Sequence, residues 1–262
     1  MIIAIYSIRS IKGIDIRGDE ISITLDMNDG VLNEVLYYVD ENTNLSKNAL
    51  DYLSENLTEF SNLQTLLKCC RLLIKNGYKI KLTDEDVLNV LNYVSTFDEL
   101  IEFYNLLKSL NLLNKKYEEI IANKLASEIE TSYKAFHLTD FKYELEEYLF
   151  RNNPDRELIE KAVKLFAQSF VREAIEDIPL WLRRPTHKGA FSYFLIFINV
   201  LKNFGLENTI KDEIEVLKYE LKKYRNRIRR AVKNRIKKEE NRDELKTLIL
   251  ILEDRSLYKY LL

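Results

Sequence analysis

The sequence predicts a mainly α-helical protein, in which a small N-terminal antiparallel β-sheet leads into a multi-helix array and a long C-terminal basic helix. Three observations predict this class. Only 6 Gly and 3 Pro occur in 262 residues, which favours long helices with short connections. Apolar residues alternate with period two before Gly30 and recur at helical spacing after it. In residues 218–238, 11 of 21 residues are Lys or Arg, and the single acid is Glu220.

The N-terminal residues predict strands. Residues 2–8, "IIAIYSI", are rich in β-branched side chains, which favour extended structure. Two pairs of Ile alternate on either side of Gly18-Asp19, which predicts a hairpin with a two-residue turn. Together these stretches predict a three-stranded sheet over about residues 2–27.

The following residues predict a helical array. Thr83 and the acids at 84–86 are typical of a capped helix start. Residues 60–74 resemble residues 97–111, and each stretch is followed by a second amphipathic run. This similarity indicates two helical hairpins with a solenoid-like period, although chance similarity between amphipathic helices explains it equally well.

Helix boundaries are clearer towards the C-terminus. We expect helices over about 139–151 and 155–182, the second ending near Arg184 because Pro185 disfavours helical geometry before it. Residues 190–201, "AFSYFLIFINVL", are too few to span a bilayer, which needs about 20. They predict a buried helix that Gly205 ends, and no membrane contact.

The two cysteines predict a structural role. Cys69 and Cys70 are adjacent in the apolar run "LLKCCRLLI", without the further Cys or His that a zinc site needs. We therefore expect both thiols to be buried and the protein to occupy a reducing compartment. No secretory signal pattern is visible at the N-terminus. We therefore expect a cytoplasmic protein without a cofactor or metal.

The two parts of the chain have net charges of opposite sign. The net charge of −2 conceals 20 basic and 31 acidic residues in 1–180, against 20 and 11 in 181–262. The predicted regions are the sheet element (1–30), an acidic helical region (31–180) and a basic helical region (181–262). Such asymmetry predicts an anionic partner for the basic end.

The basic segment is predicted as one helix from Asn208 or Thr209 to about residue 241, with the C-terminal residues folded back on it. A heptad seam, typical of a coiled coil, runs along it: Ile210, Ile214, Leu217, Leu221, Tyr224, Ile228, Ala231 and Arg235. Like charges one turn apart, such as Lys223 and Arg227, destabilise an isolated helix, and an anionic partner would relieve this. Tyr219 interleaves the basic residues and is available to stack on bases.

These features predict a non-catalytic DNA- or RNA-binding subunit of a larger complex. The candidate phosphate-binding residues are Lys222, Lys223, Arg225, Arg227, Arg229, Arg230, Lys233, Lys237, Lys238, Arg183, Arg184 and Lys188. Seven such contacts predict a log–log salt slope of about −6 on duplex DNA. The alternative is a protein–protein scaffold whose basic helix docks on an acidic protein surface.

A nuclease is the third hypothesis. His187 follows Arg183 in "RRPTHKG", but Pro185 interrupts the helix on which an Arg–His ribonuclease pair would sit. The sequence contains no phosphate-binding Gly loop, dinucleotide fingerprint or nucleophile elbow. No catalytic residue is therefore predicted.

Overall fold

The computed structural model describes residues 11–17, 20–25, 47–55, 57, 63–151, 155–184, 186–235 and 242–260. They belong to two compact units, Met1–Ser95 with Glu102–Leu113, and Thr96–Ile101 with Asn114–Leu262. The strands are β1 (Ile11–Arg17) and β2 (Glu20–Leu25). The helices are α1 (Lys47–Glu55), α2 (Leu63–Lys75), α3 (Asp84–Tyr93), α4 (Phe97–Ser109), α5 (Lys115–Ala135), α6 (Leu138–Arg151), α7 (Arg156–Arg183), α8 (Ala190–Asn203), α9 (Lys211–Lys222), α10 (Arg225–Arg235) and α11 (Arg242–Leu252).

The predicted N-terminal sheet is wrong as a component of the fold. Among the described residues, β1 and β2 pair only with each other, with Ile14 opposite Ile23, and residues 2–8 lie outside that part of the chain. A two-stranded hairpin by itself is marginally stable in water and does not make a sheet layer. Every described element after residue 47 is an α- or 3₁₀-helix, so the fold class is corrected to a multi-helix array.

Helices α1, α2 and α3 belong to the first unit. Cys69 and Cys70 are fully buried and unpaired, and burial raises the pKa of each thiol to about 12. The prediction that these thiols are buried is confirmed. Thr83 caps α3 because its hydroxyl oxygen accepts the amide of Asp86, while the Asp86 carboxylate accepts the amide of Thr83, so the predicted cap is also confirmed.

Helix α8 is the centre of the second unit. Eleven of its 14 residues are buried, and it packs against α6, α7 and α11. Aromatic rings join it to α7, where Phe166 lies 4.9 Å from Phe197 between centroids. The prediction that 190–201 form a buried helix is confirmed.

The predicted ends of these helices are also confirmed. The backbone of Arg184 leaves helical geometry for an extended conformation directly before Pro185. After α8, Gly205 takes a φ of 66°, a left-handed conformation that glycine adopts without strain. The chain then enters a 3₁₀-helix, Glu207–Ile210, before α9.

The predicted long basic helix is wrong, because two helices take its place. The amides of Lys223 and Tyr224 bond to carbonyls three residues back, on Glu220 and Leu221, so a 3₁₀ turn separates α9 from α10. The turn rotates the helix that follows, and Val232 is buried where the seam predicted Ala231. Residues 236–241 lie outside the described residues.

The C-terminal residues fold back as predicted. Helix α11 packs on α8 and α9, and a 3₁₀-helix follows it at Arg255–Tyr260. Lys218 on α9 reaches Glu253, just beyond α11, with Nζ 2.8 Å from Oε1. This return brings the acidic side chains near residue 254 back to the basic segment.

Candidate nucleic-acid interface

One face of α10 is polar, basic and exposed. Arg227, Arg230 and Lys233 recur every three residues, with Asn226 and Asn234 between them on the helix surface. At about 100° per residue these five side chains occupy an arc of about 120°, opposite the buried residues Ile228, Val232 and Arg235.

Two exposed lysines at the end of α9 precede this face in the sequence. Lys222 and Lys223 are exposed and precede Asn226 and Arg227 by four residues each, with a single 3₁₀ turn between the helices. We call the set Lys222, Lys223, Asn226, Arg227, Arg230, Lys233 and Asn234 the cationic stripe. It holds five cations and two amides, without an acid.

Four cations of the stripe have no ion pair within the described residues. They are Lys222, Arg227, Arg230 and Lys233. Lys223 differs, because its Nζ lies 2.6 Å from Oε1 of Glu220. Lys237 and Lys238, which the sequence also predicts as phosphate ligands, lie outside the described residues.

Two predicted ligands are used inside the fold. Nε of Arg225 and Nε of Arg229 donate to one oxygen of Asp254, over 3.1 and 2.8 Å. Asp254 is only 2% exposed, and its other oxygen accepts the amide and hydroxyl of Ser256. The hydrogen bond from Arg229, with those from Arg225 and Ser256, lowers the pKa of Asp254 well below its usual range. Arg225 and Arg229 therefore hold α10 to the C-terminal residues.

The predicted phosphate ligands just before α8 also include both exposed side chains and one that is used inside the fold. The side chains of Arg183 and Arg184 are exposed. Lys188 instead donates to buried Glu244 over 2.7 Å and is not available at the surface. The carbonyl of Arg184 accepts a hydrogen bond from Arg235, which brings the Arg183–Arg184 backbone to the C-terminal end of α10.

Arg235 anchors α10 in the core. It is 1% exposed, and its Nη2 donates to the carbonyls of Trp181 and Arg184 over 2.6 and 2.7 Å. Its guanidinium lies 4.0 Å from the Trp181 ring centroid, in cation–π geometry. Burial lowers the pKa of Arg235, while the charge of Glu244 opposes that shift.

Glu244 supplies the matching negative charge. It is fully buried and accepts hydrogen bonds from Trp181 Nε1, Ser192 Oγ and Lys188 Nζ over 2.6, 3.0 and 2.7 Å. The sequence seam identified Arg235 as its last member, but neither its burial nor Glu244 was predicted. The sequence did contain a signal for this pair, because a charged residue occupied a seam position. A buried Arg requires an acceptor, so an acidic partner such as Glu244 could have been expected.

His187 is also held in place. Its Nε2 lies 2.6 Å from Oδ1 of Asp177, and Oδ2 of Asp177 accepts the amide of Phe191 in the first turn of α8. A Cβ at Gly189 would overlap both Asp177 and His187. This geometry fastens the loop to α7 and α8, which is a structural role.

The described residues also bear on metal binding and on membrane insertion. Within them, no group of three or more His, Cys, Asp or Glu side chains is arranged to hold a metal ion. None of the helices that the structure describes is both long and apolar enough to cross a bilayer.

Comparisons with protein-family models, curated proteins and solved structures give no significant match to this chain. Its function has to be argued from the stripe and its surroundings.

Proposed function

We propose that this chain is a non-catalytic nucleic-acid-binding subunit that contacts phosphates through the cationic stripe. The supporting observation is that Lys222, Arg227, Arg230 and Lys233 are exposed, the last three on one face of α10, without an ion pair among the described residues, although neighbouring cations are neutralised. Phosphates spaced along a strand complement such a row.

The arrangement favours an extended anion over a single small one. The part of the stripe on α10, from Asn226 to Asn234, is about 12 Å long at 1.5 Å per residue. That length matches about four phosphates along one strand of B-form DNA. Arg and Lys contacts to phosphates carry no sequence information, so binding is largely blind to sequence.

The ion pairs of Arg225 and Arg229 make the expected salt dependence of nucleic-acid binding weaker than the sequence alone predicts. Because Arg225 and Arg229 are bound to Asp254, four cations without an ion pair remain among the described residues, and one of them, Lys222, acts electrostatically on Glu253. Four phosphate contacts predict a log–log slope of about −3.6 on duplex DNA and about −2.8 on a single strand. Between about 50 and 200 mM salt, affinity then falls about 50- to 150-fold.

Fluorescence anisotropy with a labelled mixed-sequence oligonucleotide tests the proposal. The test variant reverses the charge of Arg227, Arg230 and Lys233 with Glu and leaves the contacts of Asp254 intact. A matched control makes the same change at Lys115, Lys116 and Lys164, three exposed cations on α5 and α7. Binding that survives in the control and disappears in the test variant supports the proposal. Absence of binding at low salt, or equal binding by both variants, would refute it.

An acidic protein surface is the second candidate partner. Helix α6 favours this alternative, because Tyr143 and Phe150 are 62% and 80% exposed and the helix contains four acids against two basic residues. A second copy of the chain could therefore present both aromatic and acidic groups to the stripe. Light scattering tests it: a concentration-dependent dimer that is lost in the stripe variant, without oligonucleotide binding, favours the scaffold.

A further inference from the structure

Tyr219 lies at the N-terminal end of the cationic stripe. It precedes Lys222 and Lys223 by three and four residues, so its side chain lies on the same face of α9. The residue is 65% exposed, and Lys223 Nζ lies 5.1 Å from the centroid of its ring. The aromatic group therefore extends the stripe into solvent.

The charges beside Tyr219 are nearly balanced, unlike those on α10. Lys218 is held by Glu253 at 2.8 Å and by Glu215 at 3.6 Å, and Lys223 is held by Glu220. Attraction for phosphate is therefore concentrated on α10. The surface around Tyr219 suits a neutral, planar group better than an anionic one.

We propose that Tyr219 stacks on an unpaired base and that the stripe binds single-stranded nucleic acid in preference to duplex. This inference rests on the proposed function of the stripe. In a duplex the base faces are stacked inside the helix, so a tyrosine beside the backbone gains no stacking contact. In a single strand every base offers a π face, and the phosphates of the same strand continue onto α10.

The magnitude follows from stacking energetics. Removing one aromatic platform from a single-strand site weakens binding by about 5- to 150-fold. Lys223 above the ring adds a cation that complements the electron-rich face of the tyrosine. Phe at position 219 retains the ring and should retain most of the affinity.

The experiment compares two probes of about 15 nucleotides, a labelled oligo-dT strand and a mixed-sequence duplex, at the same salt concentration. Wild type, Tyr219→Ala and Tyr219→Phe are measured with Tyr143→Ala as the control, because Tyr143 is similarly exposed on α6. Intrinsic fluorescence and the thermal unfolding midpoint establish that each variant is folded.

We expect wild type to prefer the single strand by at least tenfold. Tyr219→Ala should lose that preference while its duplex affinity is unchanged, and Tyr219→Phe and the control should resemble wild type. Equal or tighter duplex binding, or an unchanged single-strand affinity in Tyr219→Ala, would overturn the inference and leave the proposed function standing. Absence of binding to both probes in wild type would instead refute the proposed function.

Discussion

Replacing Glu244 with Gln removes the buried negative charge beside the anchor of α10. The carboxylate accepts hydrogen bonds from Trp181, Ser192 and Lys188, and it is fully buried. A Gln amide has one acceptor oxygen and one NH₂ group, so at least one of these donors would face another donor. Arg235 and Lys188 would also lose their counter-charge. Removing one partner of a buried charge pair costs about 3–5 kcal/mol.

Urea denaturation monitored by tryptophan fluorescence measures this loss, since Trp181 is the one tryptophan in the sequence and donates to Glu244. Asp243→Asn is the matched control. Its carboxylate is 40% exposed and has an ion pair with Lys142, so its loss should be about 1 kcal/mol or less. A free energy of unfolding for Glu244→Gln within about 1 kcal/mol of wild type would contradict the buried network.

Three further predictions concern the residues around the stripe and the first unit. Because the folded pKa of Asp254 is lowered, its stabilisation is present above the unfolded pKa of about 3.9 and is lost as pH falls towards the folded value. Wild type should therefore lose unfolding free energy between about pH 4 and pH 2 more steeply than Asp254→Asn, and parallel urea curves would disprove this. Gly189→Ala should destabilise the fold by about 1–3 kcal/mol by pushing His187 from its partner, and an unchanged thermal midpoint would contradict the overlap. A disulfide reagent should leave Cys69 and Cys70 unmodified in the native protein and label both in denaturant, whereas rapid native labelling would show that they are not buried.

Local signals explain what the sequence predicted correctly. Arg184 leaves the helix because a proline follows it, and Thr83 caps α3 because its hydroxyl reaches an amide three residues ahead. The burial of α8 follows from an apolar surface that extends around the whole helix. Each of these effects acts within a few residues, so the linear pattern contains the required information.

The errors arise where distant residues decide the outcome. Asp254 neutralises Arg225 from 29 residues away, and Lys188 meets Glu244 across 56 residues. Charge counting alone assigned these cations to the surface, because it does not reveal which acid folds back onto which base. The predicted sheet failed for a related reason, since alternation predicts strands but not whether enough of them assemble into a core.

The contacts of Asp254 also decide which cations are suitable for mutation. Reversing the charge of Arg225 or Arg229 would remove a contact of buried Asp254 and confuse loss of binding with loss of folding. Arg227, Arg230 and Lys233 avoid that problem, because no ion pair among the described residues involves them.

The salt dependence of oligonucleotide binding most directly tests the cations of the stripe that have no ion pair among the described residues. For wild type, we expect log K against log salt concentration to have a slope of about −3 to −4 on duplex DNA. Arg230→Gln should reduce that slope by about 1, while Lys164→Gln, a change to an exposed cation on α7, should leave it unchanged. A slope near zero in wild type, or the same slope in Arg230→Gln as in wild type, would contradict the claim that these open cations bind phosphates.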